Sequence, residues 1–201
     1  KPVVWVGLGL AVLQQLVGIN VIFYYSNQLW QSVGFQESDA FTISTITSVT
    51  NVVVTLVAIA LVDKIGRKKL LLIGSTGMVV TLGTMAVVFS TATITDAGPV
   101  LGDTAGPIAL VAANLYVVFF GVSWGPVMWV LLGEMFPNKI RGAALAVAGL
   151  VQWLANWAVT ASFPVLSEAS LVLAYGLYAF FAVVSLIFTA KAVRETKGVE
   201  L

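Results

Sequence analysis

The sequence predicts an all-α membrane protein of six transmembrane helices, arranged as two repeats of three helices. Of its 201 residues 59% are hydrophobic and 9% are charged, whereas about 25% of the residues of an average soluble domain are charged. A globule of this length cannot bury so much apolar surface, so the excess must face lipid. The apolar residues also form six stretches, each with the roughly 20 residues that a helix needs to cross a bilayer.

The six stretches are separated by charged and turn-forming residues. We predict helices because a helix satisfies its own backbone polar groups in hydrocarbon. The first stretch runs far beyond the apolar core of a signal peptide and has no small-residue cleavage site, so it is interpreted as a span. The predicted spans are 4–31, 41–62, 70–93, 107–135, 142–165 and 171–190.

The basic residues predict the orientation of the spans. All ten lie in alternate loops and at the chain ends, whereas the loops of the opposite side carry only acids. By the positive-inside rule, both termini of this multi-pass protein are expected to be cytoplasmic. The expected location is the cell membrane, that is, the plasma membrane or a bacterial inner membrane. The basic residues are Lys1, Lys64, Arg67, Lys68, Lys69, Lys139, Arg141, Lys191, Arg194 and Lys197; the opposing acids are Glu37, Asp39, Asp96, Asp103 and Glu168.

The composition excludes several classes of chemistry. The chain has no histidine and no cysteine, which excludes Ser-His hydrolysis, thiolate nucleophiles and Cys/His zinc sites. A net charge of +1 supplies no basic field for nucleic acid. A membrane-embedded enzyme would need an acid pair or a Ser-Lys dyad, and no span carries an acid or lysine near its middle. We therefore expect no enzyme, no metal ligand and no cofactor.

Polar side chains are unevenly distributed among the spans, and in hydrocarbon they mark helix packing or a cavity. The third and sixth spans contain no Asn or Gln and are expected to act as scaffold against lipid. The other four carry amides and aromatic residues with polar tips: Gln14, Gln15, Asn20, Tyr24 and Tyr25 in the first, Asn51 in the second, Asn114, Trp124 and Trp129 in the fourth, and Gln152, Trp153, Asn156, Trp157 and Thr160 in the fifth.

Two of these spans are interrupted at matching places of the two three-helix units. The first span contains Gly18, and the fourth contains Gly121 and the pair Gly125 and Pro126. Proline removes a helix hydrogen bond and kinks the helix. One such break is explained by packing alone, but paired breaks in two repeats indicate a transporter binding site.

The lining of that site indicates a neutral, hydroxyl-rich ligand. Carboxamides both donate and accept hydrogen bonds, as hydroxyl groups do. Trp and Tyr offer flat apolar faces with a polar tip, which suit the C–H faces of a sugar ring. No charged residue lies in the central part of any span, so an ionic ligand would stay unpaired. For a single amide the alternative is an interhelical hydrogen bond, which averages about 0.6 kcal/mol, and we favour it for Asn27, Gln28, Gln31 and Asn114.

Short motifs follow one another from end to end of the chain. They are QQLVGIN at 14–20, FYY at 23–25, VDKIGRK at 62–68, SWGPVMW at 123–129, EMFP at 134–137, RG at 141–142, QWLAN at 152–156 and ETKG at 195–198. In this order they resemble the motifs of the sugar porters of the major facilitator superfamily, and within that family they are most like bacterial xylose- and glucose–proton symporters and facilitative glucose transporters. The fold that the resemblance implies has two six-helix halves, and residues 1–201 resemble the C-terminal half.

The resemblance implies a role for each group of residues. It places the sugar hydroxyls on Gln14, Gln15, Asn20, Asn51 and Gln152, with Trp129 against the ring. Pocket or gate residues would be Tyr24, Tyr25, Trp153, Asn156, Gly125 and Pro126. Cytoplasmic ion pairs that hold the outward-open state would involve Asp63, Arg67, Glu134 and Arg141; without the resemblance, residues 63–69 would be a solvated loop.

Three residues depart from the family pattern. Arg194 stands where the family tail has proline, Gly121 where the animal glucose carriers have glutamate, and Gln152 where those carriers have asparagine. Gln152 agrees with the bacterial symporters.

The resemblance implies transport of a neutral monosaccharide by alternating access. The expected partners are a sugar, the lipid bilayer and a missing N-terminal six-helix half, which in proton-coupled members carries the proton-carrying acid. The proton is the candidate coupling ion. A facilitative carrier and a non-transporting sugar-binding scaffold or sensor are the alternatives, because both would keep the same pocket.

Overall fold

Helices account for nearly all of the structure, a computed structural model that describes residues 2–96 and 98–198. Lys1, which the charge pattern assigns to the cytoplasmic side, lies outside the described residues. The helices are α1 (Pro2–Leu16), α2 (Ile19–Tyr24), α3 (Ser26–Ser32), α4 (Glu37–Ile65), α5 (Arg67–Ser90), α6 (Ala105–Gly121), α7 (Pro126–Met135), α8 (Arg141–Ala169) and α9 (Leu171–Ala192).

The predicted number of six spans is confirmed, although the first ends at Tyr24 rather than at residue 31. Six helical units are long and apolar enough to cross a membrane: α1 with α2, α4, α5, α6 with α7, α8 and α9. The helices α4 and α8 extend three or four residues beyond their apolar stretches, because polar residues complete their ends. Pro164 lies inside α8 without ending it.

The two predicted interruptions are also present, and the first span has a second one. Gly18 separates α1 from α2 with a φ of 84°, a left-handed conformation that favours glycine. Tyr25 then separates α2 from α3, which the sequence did not indicate. In the fourth span residues 122–125 separate α6 from α7, and Pro126 is the first residue of α7, where its missing N–H costs nothing.

A short antiparallel hairpin joins the third span to the fourth, and it was not predicted. Its strands are β1 (Thr93–Thr95) and β2 (Gly98–Val100), with Thr93 opposite Val100. The hairpin is tied to the end of the first span, because the Leu101 N–H donates to the Val33 carbonyl at 3.0 Å.

Helix packing follows the predicted repeat of three and three. The first span packs on the fifth, through α1 and α8, and the fourth packs on the second, through α6 and α4. If spans one, two and three correspond to spans four, five and six, these two pairings are equivalent. The third and sixth spans, α5 and α9, also correspond to each other, and they form the most extensive helix pair. The packing is thus that of two related three-helix units.

The third span is more buried than its expected place against lipid implies, but it keeps one exposed apolar side. In α5, 56% of the residues in the apolar window are buried, against 28% in α9, the other span expected to face lipid, and 11% in the polar-striped α4. The exposed apolar side chains of α5 include Ile73, Val80 and Val87, at intervals of seven residues. The rest of α5 is buried because glycine lets α6 approach closely: a Cβ added at Gly77 would lie 2.1 Å from the Phe119 ring.

Candidate functional site

Five of the predicted amides meet in one hydrogen-bonded cluster between the first and fifth spans. The Asn20 Nδ2 donates to Gln15 Oε1 and to Asn156 Oδ1, each at 2.7 Å. The Gln14 Oε1 accepts from Gln15 Nε2 at 3.4 Å and from Gln152 Nε2 at 3.3 Å. We call Gln14, Gln15, Asn20, Gln152 and Asn156 the amide cluster.

The helix breaks position this cluster. The Gln14 Nε2 donates to the carbonyls of Trp124 and Gly125, at 2.8 and 3.3 Å, which join α1 to the break in the fourth span. At the break in the first span, the hydroxyl of the buried Tyr116 donates to the Val17 carbonyl at 2.7 Å. The paired breaks therefore face each other across the amides, as the repeat predicts.

The cluster has hydrogen-bonding capacity to spare for a ligand. The two bonds of Asn20 are short, whereas the bonds to the Gln14 Oε1 are at the long and weak end of the range. The Gln152 Oε1 is buried and has no hydrogen-bond partner in the described part of the chain. A buried acceptor without a partner costs about 1–3 kcal/mol, so a hydroxyl donor would be favoured there.

In the described part of the chain, the side chains of the other predicted ligand residues form no hydrogen bond with the cluster. Trp129 is 36% exposed and Trp153, the residue after Gln152, is 60% exposed, so both rings present open apolar faces; Tyr24 is similarly exposed. Asn51 lies at the break in the fourth span, where a Cβ added at Gly121 would be 3.4 Å from its Oδ1 and would overlap Val54. The close approach of α4 explains the small residue at position 121.

Tyr25 connects the first span to the fifth by a hydrogen bond that the sequence analysis did not predict. Its hydroxyl donates to the Thr160 carbonyl at 3.0 Å, and its ring packs on Phe163 with centroids 5.0 Å apart. In a helix the N–H of residue 164 would bond to that carbonyl, but Pro164 has no N–H. A proline four residues after Thr160 is the sequence feature that frees this carbonyl.

Three of the four predicted gate residues form ion pairs at the end of the bundle that carries the basic loops, here called the basic end. The Arg67 Nη1 lies 2.9 Å from Asp63 Oδ1, and its Nη2 lies 2.5 Å from Glu134 Oε1. The Arg67 Nε also donates to Glu134 Oε2 at 2.9 Å. Arg141 instead donates to the Phe136 carbonyl at 3.3 Å, and it forms no ion pair within 4 Å among residues 2–96 and 98–198.

Glu195 and Thr196 belong to the same network, and the residue pattern alone did not indicate their contacts. The Thr196 hydroxyl donates to Glu134 Oε2, and the Glu195 carboxylate accepts from the N–H groups of Arg67 and Lys68 at 2.9 and 3.1 Å. Burial raises the pKa of Glu195, but four backbone N–H donors, from Lys197, Arg67, Lys68 and Thr196, outweigh it and hold that pKa below its ordinary value. Glu195 thus satisfies N–H groups at the start of α5.

Known proteins match this chain along its whole length. The family model described as "Sugar (and other) transporter" matches residues 1–201. The "Glucose transport protein" of Synechocystis sp. (strain ATCC 27184 / PCC 6803 / Kazusa) is 59% identical over 198 residues, which are 98% of this chain and 42% of that protein. The "D-xylose-proton symporter" of Escherichia coli (strain K12) is 39% identical over 203 residues, 98% of this chain and 39% of that protein.

The fold is likewise similar to a solved structure. A crystal structure of a D-xylose-proton symporter superposes with a TM-score of 0.85 at 38% identity, over 99% of this chain and 44% of that one. The chain thus spans about 40% of the length of the curated relatives it matches. With its six spans, its packing repeat and a family match over all 201 residues, the chain belongs to the sugar porter family of the major facilitator superfamily.

Proposed function

We propose that this chain is the C-terminal six-helix half of a carrier that moves a neutral monosaccharide, a hexose or a pentose, by alternating access. The observation that carries the proposal is the amide cluster, which is neutral and has four of its five side chains buried. The names of two relatives, for glucose and for xylose, agree with that ligand class. The second half, which the carrier needs to rock against, would cover the exposed sides of α4 and α8.

The ligand contacts follow from the hydrogen-bonding capacity of the cluster. A sugar hydroxyl donates to the Gln152 Oε1, and other hydroxyls replace the long bonds at the Gln14 Oε1. Asn20 holds the cluster in register through its two short bonds. Trp129 contacts the ring, while Asn51, Tyr24 and Trp153 complete the pocket when the second half is in place.

The basic end is proposed to be cytoplasmic and to be closed by Arg67 with Asp63 and Glu134. These ion pairs join the loop between the second and third spans to the fourth span, so they hold that end shut while the opposite end is open. They break when the halves rock. Arg141 enters this network only in the presence of the second half.

Uptake of labelled sugar into vesicles tests the site, with the chain joined to an N-terminal half. Gln15→Ala and Gln152→Ala are expected to reduce uptake up to about tenfold, the equivalent of one hydrogen bond to the ligand. Gln31→Ala is the matched control, because Gln31 is an exposed amide of the same span outside the cluster. Equal uptake by Gln15→Ala and Gln31→Ala would contradict the site.

Proton symport is the favoured form of transport, because one relative is named a D-xylose-proton symporter. Collapse of the proton gradient with a protonophore is then expected to abolish accumulation of the sugar. A facilitative carrier would equilibrate sugar regardless of the gradient. A sensor would bind sugar without taking it up.

A further inference from the structure

A cavity of about 870 Å³ lies at the acidic end of the bundle, opposite the basic end. The ends of α3, α5 and α8, the start of α9 and the hairpin line it. We call it the outer cavity. Its volume lies within the range of about 300–1,000 Å³ that is usual for small-molecule sites.

The outer cavity is separate from the amide cluster but is linked to it through the fifth span. Tyr25 and Phe163 line the cavity, with their rings packed together. The Tyr25 hydroxyl donates to the Thr160 carbonyl, and the Thr160 hydroxyl donates to the carbonyl of Asn156, a cluster residue, at 2.8 Å. Thr160, which holds Tyr25, is therefore one helical turn of α8 from the cluster.

Most hydroxyl groups that line the outer cavity are available to a ligand as hydrogen-bond acceptors rather than as donors. The hydroxyls of Ser32, Ser90 and Ser167 each donate to a carbonyl of their own helix, at 2.7, 2.6 and 2.9 Å, and keep lone pairs free. The Ser170 hydroxyl oxygen already accepts from the Leu173 N–H at 3.2 Å and has a second lone pair.

The other residues that line the cavity further restrict the chemical class of the ligand. The exposed Gln28 amide can both donate and accept, and Phe89 adds a third aromatic ring to the wall. Among the described residues, the lining carries no basic side chain and one acidic one, Glu168. An anionic ligand would find no positive partner there. A molecule with several hydroxyl donors and apolar C–H faces fits these groups.

We propose that the outer cavity is a second sugar-binding subsite, in series with the amide cluster and separated from it by Tyr25 and Phe163. This inference rests on the proposed function, since it names a further subsite for the same class of ligand. Sugar binds first against Ser167, Gln28 and the aromatic wall. It passes to the amide cluster when Tyr25 releases the Thr160 carbonyl.

A single introduced thiol can test the subsite, because the chain has no cysteine of its own. In the chain joined to its second half, Ser167→Cys places the thiol in the cavity, and a membrane-impermeant maleimide measures its accessibility. D-glucose and D-xylose are expected to slow labelling by about fourfold at three times their Kd. Ser38→Cys, exposed at the start of α4 and outside the cavity, is the matched control and should label at a rate independent of sugar.

The same labelling is repeated with Trp129→Ala, which impairs the inner site. The expected result is reduced uptake with protection of Ser167→Cys retained. Loss of protection together with uptake would overturn the proposal, since protection would then belong to the inner site. Protection by choline chloride at equal osmolality, but not by sugar, would also overturn it, because the cavity would then be a cation site of Glu168.

Uptake by the unmodified protein separates the two possible failures. Uptake without any protection of Ser167→Cys would disprove the outer subsite alone. A protein that takes up no sugar would instead disprove the proposed function.

Discussion

Tyr116 shows how a single hydroxyl stabilises a broken helix. The carbonyl groups at the end of a helix have no partner within it, and at the break after α1 the Val17 carbonyl is buried. The Tyr116 hydroxyl, itself fully buried, donates to that carbonyl at 2.7 Å. The break beside the amide cluster is therefore satisfied by a side chain from the other repeat.

Replacement of Tyr116 by phenylalanine is expected to destabilise the bundle. Tyr116→Phe leaves the Val17 carbonyl buried without a donor, at a cost of about 1–3 kcal/mol. Thermal or denaturant unfolding in detergent micelles, followed by tryptophan fluorescence, would measure the change. Tyr24→Phe is the matched control, because Tyr24 is 60% exposed and its hydroxyl should matter little to stability.

Residue types could be predicted from the sequence better than their contacts. The amides at positions 14, 15, 20, 152 and 156 were singled out because polar groups in hydrocarbon need partners, and the structure places them together. Their partners in distant spans depend on which helices pack together. The bond from Tyr25 to Thr160 could not be predicted for that reason, although Pro164 marks the free carbonyl.

At the scale of elements, the glycines of α5 determine how closely α6 approaches. A Cβ added at Gly74 would lie 2.5 Å from Ser123 Cβ and 2.9 Å from the Phe119 carbonyl oxygen. A backbone atom cannot move aside as a flexible side chain can. The contact between these two spans therefore requires the absence of a side chain at Gly74.

Gly74→Ala is expected to separate α5 from α6 and to cost about 1–3 kcal/mol in overpacking. Gly83→Ala on the same helix is the control, since an added Cβ there meets no atom of residues 2–96 or 98–198 within 4 Å and alanine favours the helix by about 0.5–1 kcal/mol. Unfolding of both variants in the same detergent would measure the difference. Equal stability of the two would show that α6 packs less closely than described.

Glu195 is expected to make the start of α5 sensitive to acid. Because its pKa in the folded protein is below the unfolded value, its stabilising effect is present above that unfolded value and is lost as the pH falls through the folded pKa. Glu195→Gln should therefore be less stable than the parent at neutral pH, and the difference should shrink below about pH 4.5. Unfolding of both proteins over a pH series checks this; a constant difference would contradict it.

The predicted bounds of the spans agree with the observed helices where hydropathy alone determines them. All six spans are present, but charged and polar residues complete several helix ends, so α4 begins at Glu37 and α5 at Arg67. The hairpin of β1 and β2 was missed because its strands have only three residues each and adjoin an apolar span. Hydropathy also could not show that one side of α5 packs closely on α6, since glycines rather than polar residues determine that contact.

For the whole molecule, the unequal burial of the spans indicates which sides await a partner. The windows of α4, α9 and α8 are 11%, 28% and 33% buried, whereas that of the first span is 61% buried. Of the three less buried helices only α4 and α8 carry Asn or Gln, so α9 is the one suited to face lipid. The second and fifth spans are equivalent in the repeat, so their exposed sides are related surfaces. One six-helix unit on these two sides would enclose the amide cluster.

Sugar is expected to stabilise the protein only when both halves are present. In the joined protein, ligand at 100 times its Kd should add about 2.7 kcal/mol to the free energy of unfolding. If the proposed second half completes the pocket, the chain alone should show no such shift. Thermal unfolding with and without D-glucose, compared between the two proteins, measures this; an equal shift in the chain alone would contradict the need for a second half.

The long-range bond from Gln14 to the Trp124 carbonyl has a consequence for biosynthesis. The two residues are 110 positions apart, and at 5–20 residues per second a ribosome needs roughly 5–20 seconds to make the intervening chain. During that interval the Gln14 Nε2 lacks the two carbonyl acceptors, of Trp124 and Gly125, that it has in the folded protein. Shielding of that amide from lipid until the fourth span arrives would raise the yield of folded protein.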